Sequence, residues 1–176
     1  MNYVNITIYN STGSIANSTT NSTAGTSITS LTVSADGIYI INATAYDFAG
    51  NINSSSRNVT VDTTSPLIDY GTGTESNNAN VSRSWIYANV SVTETNENNI
   101  TFLLFNSTGQ VNSTTYTAGT RTINWTGLSN GAYTYNVTVR DYAGNSNTTS
   151  TRTITLDTTN PSLTINSPVL YANLSS

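Results

Sequence analysis

The feature that most constrains this chain is an internal duplication. Residues 37–51 read GIYIINATAYDFAGN, and residues 131–145 read GAYTYNVTVRDYAGN. RNVTVDTTSP at 57–66 answers RTITLDTTNP at 152–161, and YNSTG at 9–13 answers FNSTG at 105–109. The offsets run from 94 to 96 residues, the length of a small domain. A period this long means domains in series and not a short solenoid repeat.

Each unit is patterned for β-structure. Ile86, Ala88, Val90 and Val92 alternate with polar neighbours, as do Ile100, Phe102 and Leu104. Tyr133, Tyr135, Val137 and Val139 follow the same rule, then Ile154 and Leu156. Period-two alternation in short runs, broken by Gly, Asn and Asp turns, specifies a two-sheet sandwich. No stretch carries helical periodicity with caps. The acidic residues are all expected in turns or linkers, the tyrosines at 39, 133 and 135 inward, and Trp125 as a core plug.

The motif G-x-Y-x-x-N-[AV]-T-[AV]-x-D-[FY]-A-G-N, followed by [VL]-D-T-T-x-P, resembles the bacterial immunoglobulin-like repeats of large surface proteins. Such repeats occur in bacterial adhesins and in archaeal surface-layer and filament proteins. The resemblance implies an all-β fold of tandem immunoglobulin-like Greek-key β-sandwiches, extracellular placement and no enzymatic activity. It implies no particular ligand.

Strands assigned on that resemblance leave the opening unit short. The second unit places strand A near 67–70, B near 85–92, C near 100–105, the middle strands at 111–117 and 120–125, F at 133–139 and G at 153–157. The first begins at strand C, with Val4, Ile6 and Ile8 matching Ile100, Phe102 and Leu104. The missing pair recurs at the other end, where VLYANLS at 169–175 matches WIYANVS at 85–91. The expected domains are therefore 1–65, an incomplete sandwich; 66–160, a complete one; and 161–176, the A and B strands of a next unit or a donor segment. The donor side chains would be Leu163, Ile165, Leu170, Ala172 and Leu174. Burying four of them on a partner is worth on the order of 6–10 kcal/mol before entropy costs. Two arrangements stay open: a copy's tail filling the next copy's first unit, or an array whose neighbouring repeat supplies the strands.

Composition excludes several functions. The chain holds no His and no Cys, so it offers no imidazole base, thiol nucleophile, disulfide or Cys/His zinc site. Its 5 basic residues, all Arg, face 9 acidic ones for a net charge of −4, which is not a nucleic-acid surface. The longest apolar run, Phe102–Phe105, is far short of the ~20 residues of a membrane span. Polar Asn2 and Asn5 interrupt where a secretory h-region would run, so an exported protein would be represented here by a mature piece. No pair of carboxylates or phosphate-binding loop marks a catalytic site.

Asn-x-Ser/Thr occurs at Asn5, Asn10, Asn17, Asn21, Asn42, Asn53, Asn58, Asn80, Asn89, Asn99, Asn106, Asn112, Asn124, Asn136, Asn147 and Asn173. Chance placement at this composition would give roughly nine. Strand patterning alone brings polar residues together at i and i+2. Dense N-glycosylation of an exported protein accounts for the same excess. Asn10/Asn106, Asn42/Asn136 and Asn89/Asn173 occupy matching places in successive units.

Carboxylates at Asp62, Glu94, Glu97 and Asp141, with the Asn145 amide, fall in loops that this fold gathers where successive units meet. Calcium, which takes 6–8 oxygens, is one use for them. Closing D-x-A-G-N turns and opening the D-T-T-x-P linkers is the other. The expected function is a non-enzymatic structural subunit of an extracellular filament or cell-surface coat, joined to copies of itself head to tail and carrying N-linked glycans. The alternative is an adhesin stalk or carbohydrate-binding module.

Overall fold

The computed structural model describes residues 3–21, 30–117 and 119–166, among which every regular element is a β-strand. By contacts the chain divides into two compact units. One comprises residues 1–67, 93–99 and 139–147; the other comprises 68–92, 100–138 and 148–176.

The first unit is built on one antiparallel sheet. Its strands are β1 (Tyr3–Asn10), β2 (Ile15–Asn21), β3 (Gly37–Tyr46) and β4 (Ile52–Val61), in the order β2-β1-β3-β4. Val4, Ile6 and Ile8 lie opposite Ala45, Ala43 and Ile41, while Tyr39 lies opposite Val59 and Gly37 opposite Val61. Since side chains alternate between faces, these residues share one apolar face. Two side-chain-capped turns set the register. Asn10 Oδ1 accepts from the amides of Thr12 and Ser14 at 3.1 and 2.9 Å, with Gly13 at φ +80°. Asp47 Oδ1 accepts from those of Ala49 and Asn51, both at 2.8 Å. Asx side chains that mimic backbone turns are the reason these residues stand there.

The second unit carries two sheets. A three-stranded sheet has β5 (Leu67–Tyr70), β7 (Ile86–Thr93) and β10 (Thr122–Trp125) in the order β10-β7-β5. The other runs β6 (Ala79–Val81), β13 (Arg152–Leu156), β11 (Gly131–Asp141), β8 (Glu97–Asn106), β9 (Gly109–Thr117), with β12 (Ser146–Thr148) paired to β11. Between them lie Ile86, Ala88, Val90, Ile100, Phe102, Leu104, Trp125, Tyr133, Tyr135, Val137, Ile154 and Leu156, none more than 6% exposed. That is the period-two set read from the sequence less Val92, which is only partly buried against it, and Val139, together with the Trp125 plug.

Two short strands were not anticipated. β6 pairs in parallel with β13, an arrangement no local alternation signals. β12 follows the Asp141 turn and is only three residues long. The acidic residues also depart from the expectation that all lie in turns or linkers. Asp69 sits in β5, Glu97 opens β8, and Asp141 closes β11. Strand C starts three residues before Ile100, and the added turn of ladder is what takes Glu97 out of the loop.

Each unit carries a tyrosine corner. Tyr39 Oη donates to the Ala35 carbonyl at 2.8 Å, and Tyr133 Oη to that of Ser129 at 3.1 Å. A hydroxyl bonding back four residues at the start of strand F is a hallmark of immunoglobulin-type sandwiches. Within the second unit Tyr135 packs against Tyr70 and Trp125, ring centroids 5.7 Å away in each case. Its hydroxyl is buried without a hydrogen-bond partner, and burial pushes its pKa up to about 12. Arg152 lies over the Tyr70 ring at 4.1 Å, and Arg83 over Trp85 at 3.8 Å while also pairing with Glu75.

Candidate functional site

Two places in the first unit hold side chains that the fold itself does not fully use. One is acidic. Asp62 leaves β4, Glu94 follows β7, and Asp141 ends β11; a carboxylate oxygen from each lies within 4.8 Å of the others. Glu97, included in the sequence-based set, falls outside this group and is buried at the head of β8.

Hydrogen bonds explain how three like charges are held together. Asp141 Oδ1 accepts from the amides of Gly144 and Asn145 at 2.7 and 2.8 Å, and Oδ2 from Asn145 Nδ2 at 2.7 Å. Burial raises its pKa, but these donors outweigh burial and hold the carboxyl below its usual value of 3.8. Asn96 Nδ2 reaches Asp62 Oδ2 at 3.0 Å, and the Asn96 amide donates to Glu94 Oε1 at 2.7 Å. Asn145 Nδ2 also donates to the Asp62 carbonyl at 3.0 Å. Turn closure engages both oxygens of Asp141, while the Asn96 donors engage Asp62 Oδ2 and Glu94 Oε1. The group can supply three of the 6–8 oxygens a calcium ion takes.

The second place is the apolar face of the first sheet. Position by position it repeats the core of the second unit. Val4, Ile6 and Ile8 match Ile100, Phe102 and Leu104; Tyr39, Ile41, Ala43 and Ala45 match Tyr133, Tyr135, Val137 and Val139; Val59 and Val61 match Ile154 and Leu156. The later set is at most 6% exposed throughout. Of the earlier set only Ile8 and Tyr39 are buried, and Val59 is 41% exposed. The chemistry is the same and the exposure is not. In the second unit the covering layer is β5, β7 and β10; among the described residues of the first unit no sheet plays that part.

A family model described as bacterial Ig-like domain matches residues 1–63 and 71–158. The chain belongs to the bacterial Ig-like domain family. No curated protein matches it in sequence. Among solved structures, it is similar to a tetra-tandem repeat in the extending region of a large adhesion protein. The identity is 24%, with 89% of this chain and 42% of that one covered, at TM-score 0.48. It is similar to the fibronectin(III)-like modules of Clostridium thermocellum CbhA at 14% identity, covering 54% of this chain and all of that one, at TM-score 0.41. Dimeric latent PorU from Porphyromonas gingivalis matches at 16% identity over 72% of this chain and 13% of that one, at TM-score 0.38. The chain therefore spans about two fifths of the length of the adhesion-protein structure.

Within this bacterial Ig-like frame the sequon asparagines divide. Asn53, Asn58, Asn80 and Asn124 are exposed. Asn5, Asn10, Asn17, Asn21, Asn42, Asn99, Asn106 and Asn112 are half-buried. Asn89 and Asn136 are half-buried too, with Nδ2 donating to the Thr72 carbonyl at 2.9 Å and Thr151 Oγ1 at 3.3 Å. Asn147 is exposed, yet its Nδ2 donates to the Pro66 carbonyl at 3.0 Å. Asn173 lies outside the described residues, as do Leu170, Ala172 and Leu174. Leu163 and Ile165 are 91% and 76% exposed. No helix among the described residues is long and apolar enough to cross a membrane.

The structure also shows a device the sequence reading missed. Asp36 accepts from the Thr63 amide, Thr63 Oγ1 and Thr64 Oγ1 at 2.9, 2.8 and 2.7 Å. At the matching place Asn130 Oδ1 accepts from the Thr158 amide and hydroxyl at 3.0 and 2.9 Å. Each D-T-T linker is thus clamped by the residue before the F-strand glycine. The signal was present, as Asp36-Gly37 against Asn130-Gly131, but the partners lie 27 to 29 residues apart.

Proposed function

We propose that the chain is a non-enzymatic, load-bearing segment of an extracellular filament or cell-surface coat. Immunoglobulin-like sandwiches follow one another in series, and the open face of the first sheet is closed by A- and B-type strands from a neighbouring repeat. The observation that carries this is the contrast between equivalent side chains: an apolar face fully buried in one unit and for the most part only half-buried in the other, with Val59 exposed. A solvated face of this composition is costly, so a covering layer is strongly favoured. Membership in the bacterial Ig-like family and the 8% charged composition support a surface setting.

N-glycans complete the reading. Asn58, Asn80 and Asn124 present free surface for sugars, which hydrate a coat that carries few charges. Asn89 and Asn136 are expected to be modified least, because their amides already serve the fold. Glycopeptide mass spectrometry of native material, with antibody labelling of intact cells, tests the proposal. Bare asparagines at all three of these positions would remove the glycans, and label confined to the cell interior would remove the surface role.

A second reading is favoured by one observation, the approach of three carboxylates to within 4.8 Å. Calcium there offsets their mutual repulsion and fixes the loops that carry Glu94 and Asp141 against Asp62.

A further inference from the structure

We propose that residues 157–176 of a second copy of this chain close the β1–β3–β4 face, so that copies join head to tail. This rests on the serial-sandwich reading and names the partner for the open face.

Apolar matching comes first. Leu163 and Ile165 follow Asp157 at the same spacing as Ile68 and Tyr70 follow Asp62. Ile68 and Tyr70 pack against the core of the second unit. Leu163 and Ile165 are 91% and 76% exposed, so a segment with a packing role has nothing to pack on. Leu170, Ala172 and Leu174 repeat Ile86, Ala88 and Val90, which are at most 3% exposed. The wall those three pack against is built of β8, β11 and β13 residues whose counterparts on β1, β3 and β4 are mostly half-buried, with Val59 exposed. Recognition is face-to-face packing of one sheet on another, as in any sandwich.

Polar hooks supply an independent argument. Asn145 Nδ2 donates both to Asp141 Oδ2 and to the Asp62 carbonyl, and Asn147 Nδ2 holds the Pro66 carbonyl. Together they fasten the D-T-T-x-P segment that leads into strand A. Their counterparts are Asn51 and Asn53, both exposed. Asn51 Nδ2 closes its own turn on Asp47 Oδ2 at 2.7 Å, as Asn145 does on Asp141, and the amide carries a second hydrogen. Once docked, Asn51 donates to the Asp157 carbonyl of the second copy, and Asn53 to its Pro161 carbonyl.

The reach also fits. The Gly71 amide donates to the Asn89 carbonyl at 2.8 Å, which sets the end of strand A against the middle of strand B. Passing from the Tyr70 place to the Ile86 place is about four residue steps along and one strand across, roughly 14 Å. The five steps from Ile165 to Leu170 span about 17 Å when extended. The contact is heterologous, so repetition gives a filament and not a closed dimer.

The test uses the full 176-residue chain. Sedimentation velocity from about 1 to 200 µM, with negative-stain electron microscopy, should show species that lengthen with concentration. Leu170→Asp/Leu174→Asp should weaken association by at least about 100-fold. Ile6→Asp/Ile41→Asp should do the same from the other side. Mixing the two variants should give pairs and no polymers, and a synthetic peptide of residues 161–176 should cap growth. Association that survives the tail substitutions overturns the proposal, as does a chain that stays monomeric and ignores the peptide. A fusion placing residues 62–92 ahead of residue 1 separates the two levels. If it closes the face while the peptide does not bind, the serial reading stands and the second copy is wrong. If neither closes it, both are wrong.

Discussion

Valine truncations on the apolar faces of the two units test whether those faces really differ in cover. Val137 on β11 is fully buried in the second unit, whereas Val59 on β4 is 41% exposed. Val137→Ala removes two buried carbons, worth ~0.8 kcal/mol each, and leaves a cavity that adds about 1 kcal/mol, for a total near 2.5 kcal/mol. Val59→Ala loses about three fifths of the transfer part, and solvent fills the space, so the cost is about 1 kcal/mol or less. Trp85 and Trp125 both lie in the second unit, so fluorescence during urea unfolding reports that unit alone. Val137→Ala should lower its midpoint at unchanged slope, and Val59→Ala should leave it in place. The first unit is followed by hydrogen exchange of residues 37–61. Addition of the 161–176 peptide should raise the cost of Val59→Ala toward about 2 kcal/mol. A Val59→Ala cost equal to that of Val137→Ala in the peptide-free chain would refute the reasoning, because it would mean the face is already covered.

Three more outcomes follow from the geometry. Tyr133→Phe should cost about 1 kcal/mol by removing the corner hydrogen bond, whereas Tyr135→Phe, which deletes a buried hydroxyl with no partner, should cost less than that or stabilise, both read from thermal unfolding. Asp36, Asp47 and Asp141 are held below the usual 3.8, the first by the Thr64 and Thr63 hydroxyls, the second by the Asn51 side chain and amide, and the third by its turn donors against the pull of burial. Their contribution is therefore complete above that value and is lost as pH falls through the lower folded values; Tm should be flat from neutral pH to about 5 and drop below about 4, and Asp141→Asn should blunt the drop. Millimolar calcium should raise Tm by a few degrees and a chelator reverse it, with Asp62→Asn/Glu94→Gln abolishing the response; an unchanged Tm would assign the three carboxylates to turn closure alone.

Much of the second unit was legible because its signals are local. Alternation from Ile86 to Val92 and from Tyr133 to Val139 fixes which side chains meet, and D-x-A-G-N fixes where the chain turns. That the first sheet opens within the first few residues was legible through the match of Val4 to Ile100. What escaped depends on partners distant in sequence. The parallel pairing of β6 with β13 and the clamps from Asp36 and Asn130 to the D-T-T linkers leave no periodic trace. Glu97 was grouped with Asp62, Glu94 and Asp141 because a loop was expected there, and an earlier start to β8 removed it. The exposure of the first sheet was an inference from counting strands, and Val59 beside Ile154 gives it a physical magnitude.

The absence of cysteine permits one decisive measurement. A nitroxide at Ser175→Cys on unlabelled chains, mixed with isotope-labelled wild type, reports whose tail meets whose sheet. Head-to-tail docking requires line broadening of Ile6, Ile41 and Arg57 amides in the labelled copies, growing with the proportion of spin-labelled chain. Sharp resonances along β1, β3 and β4 at concentrations where the chains associate would contradict it.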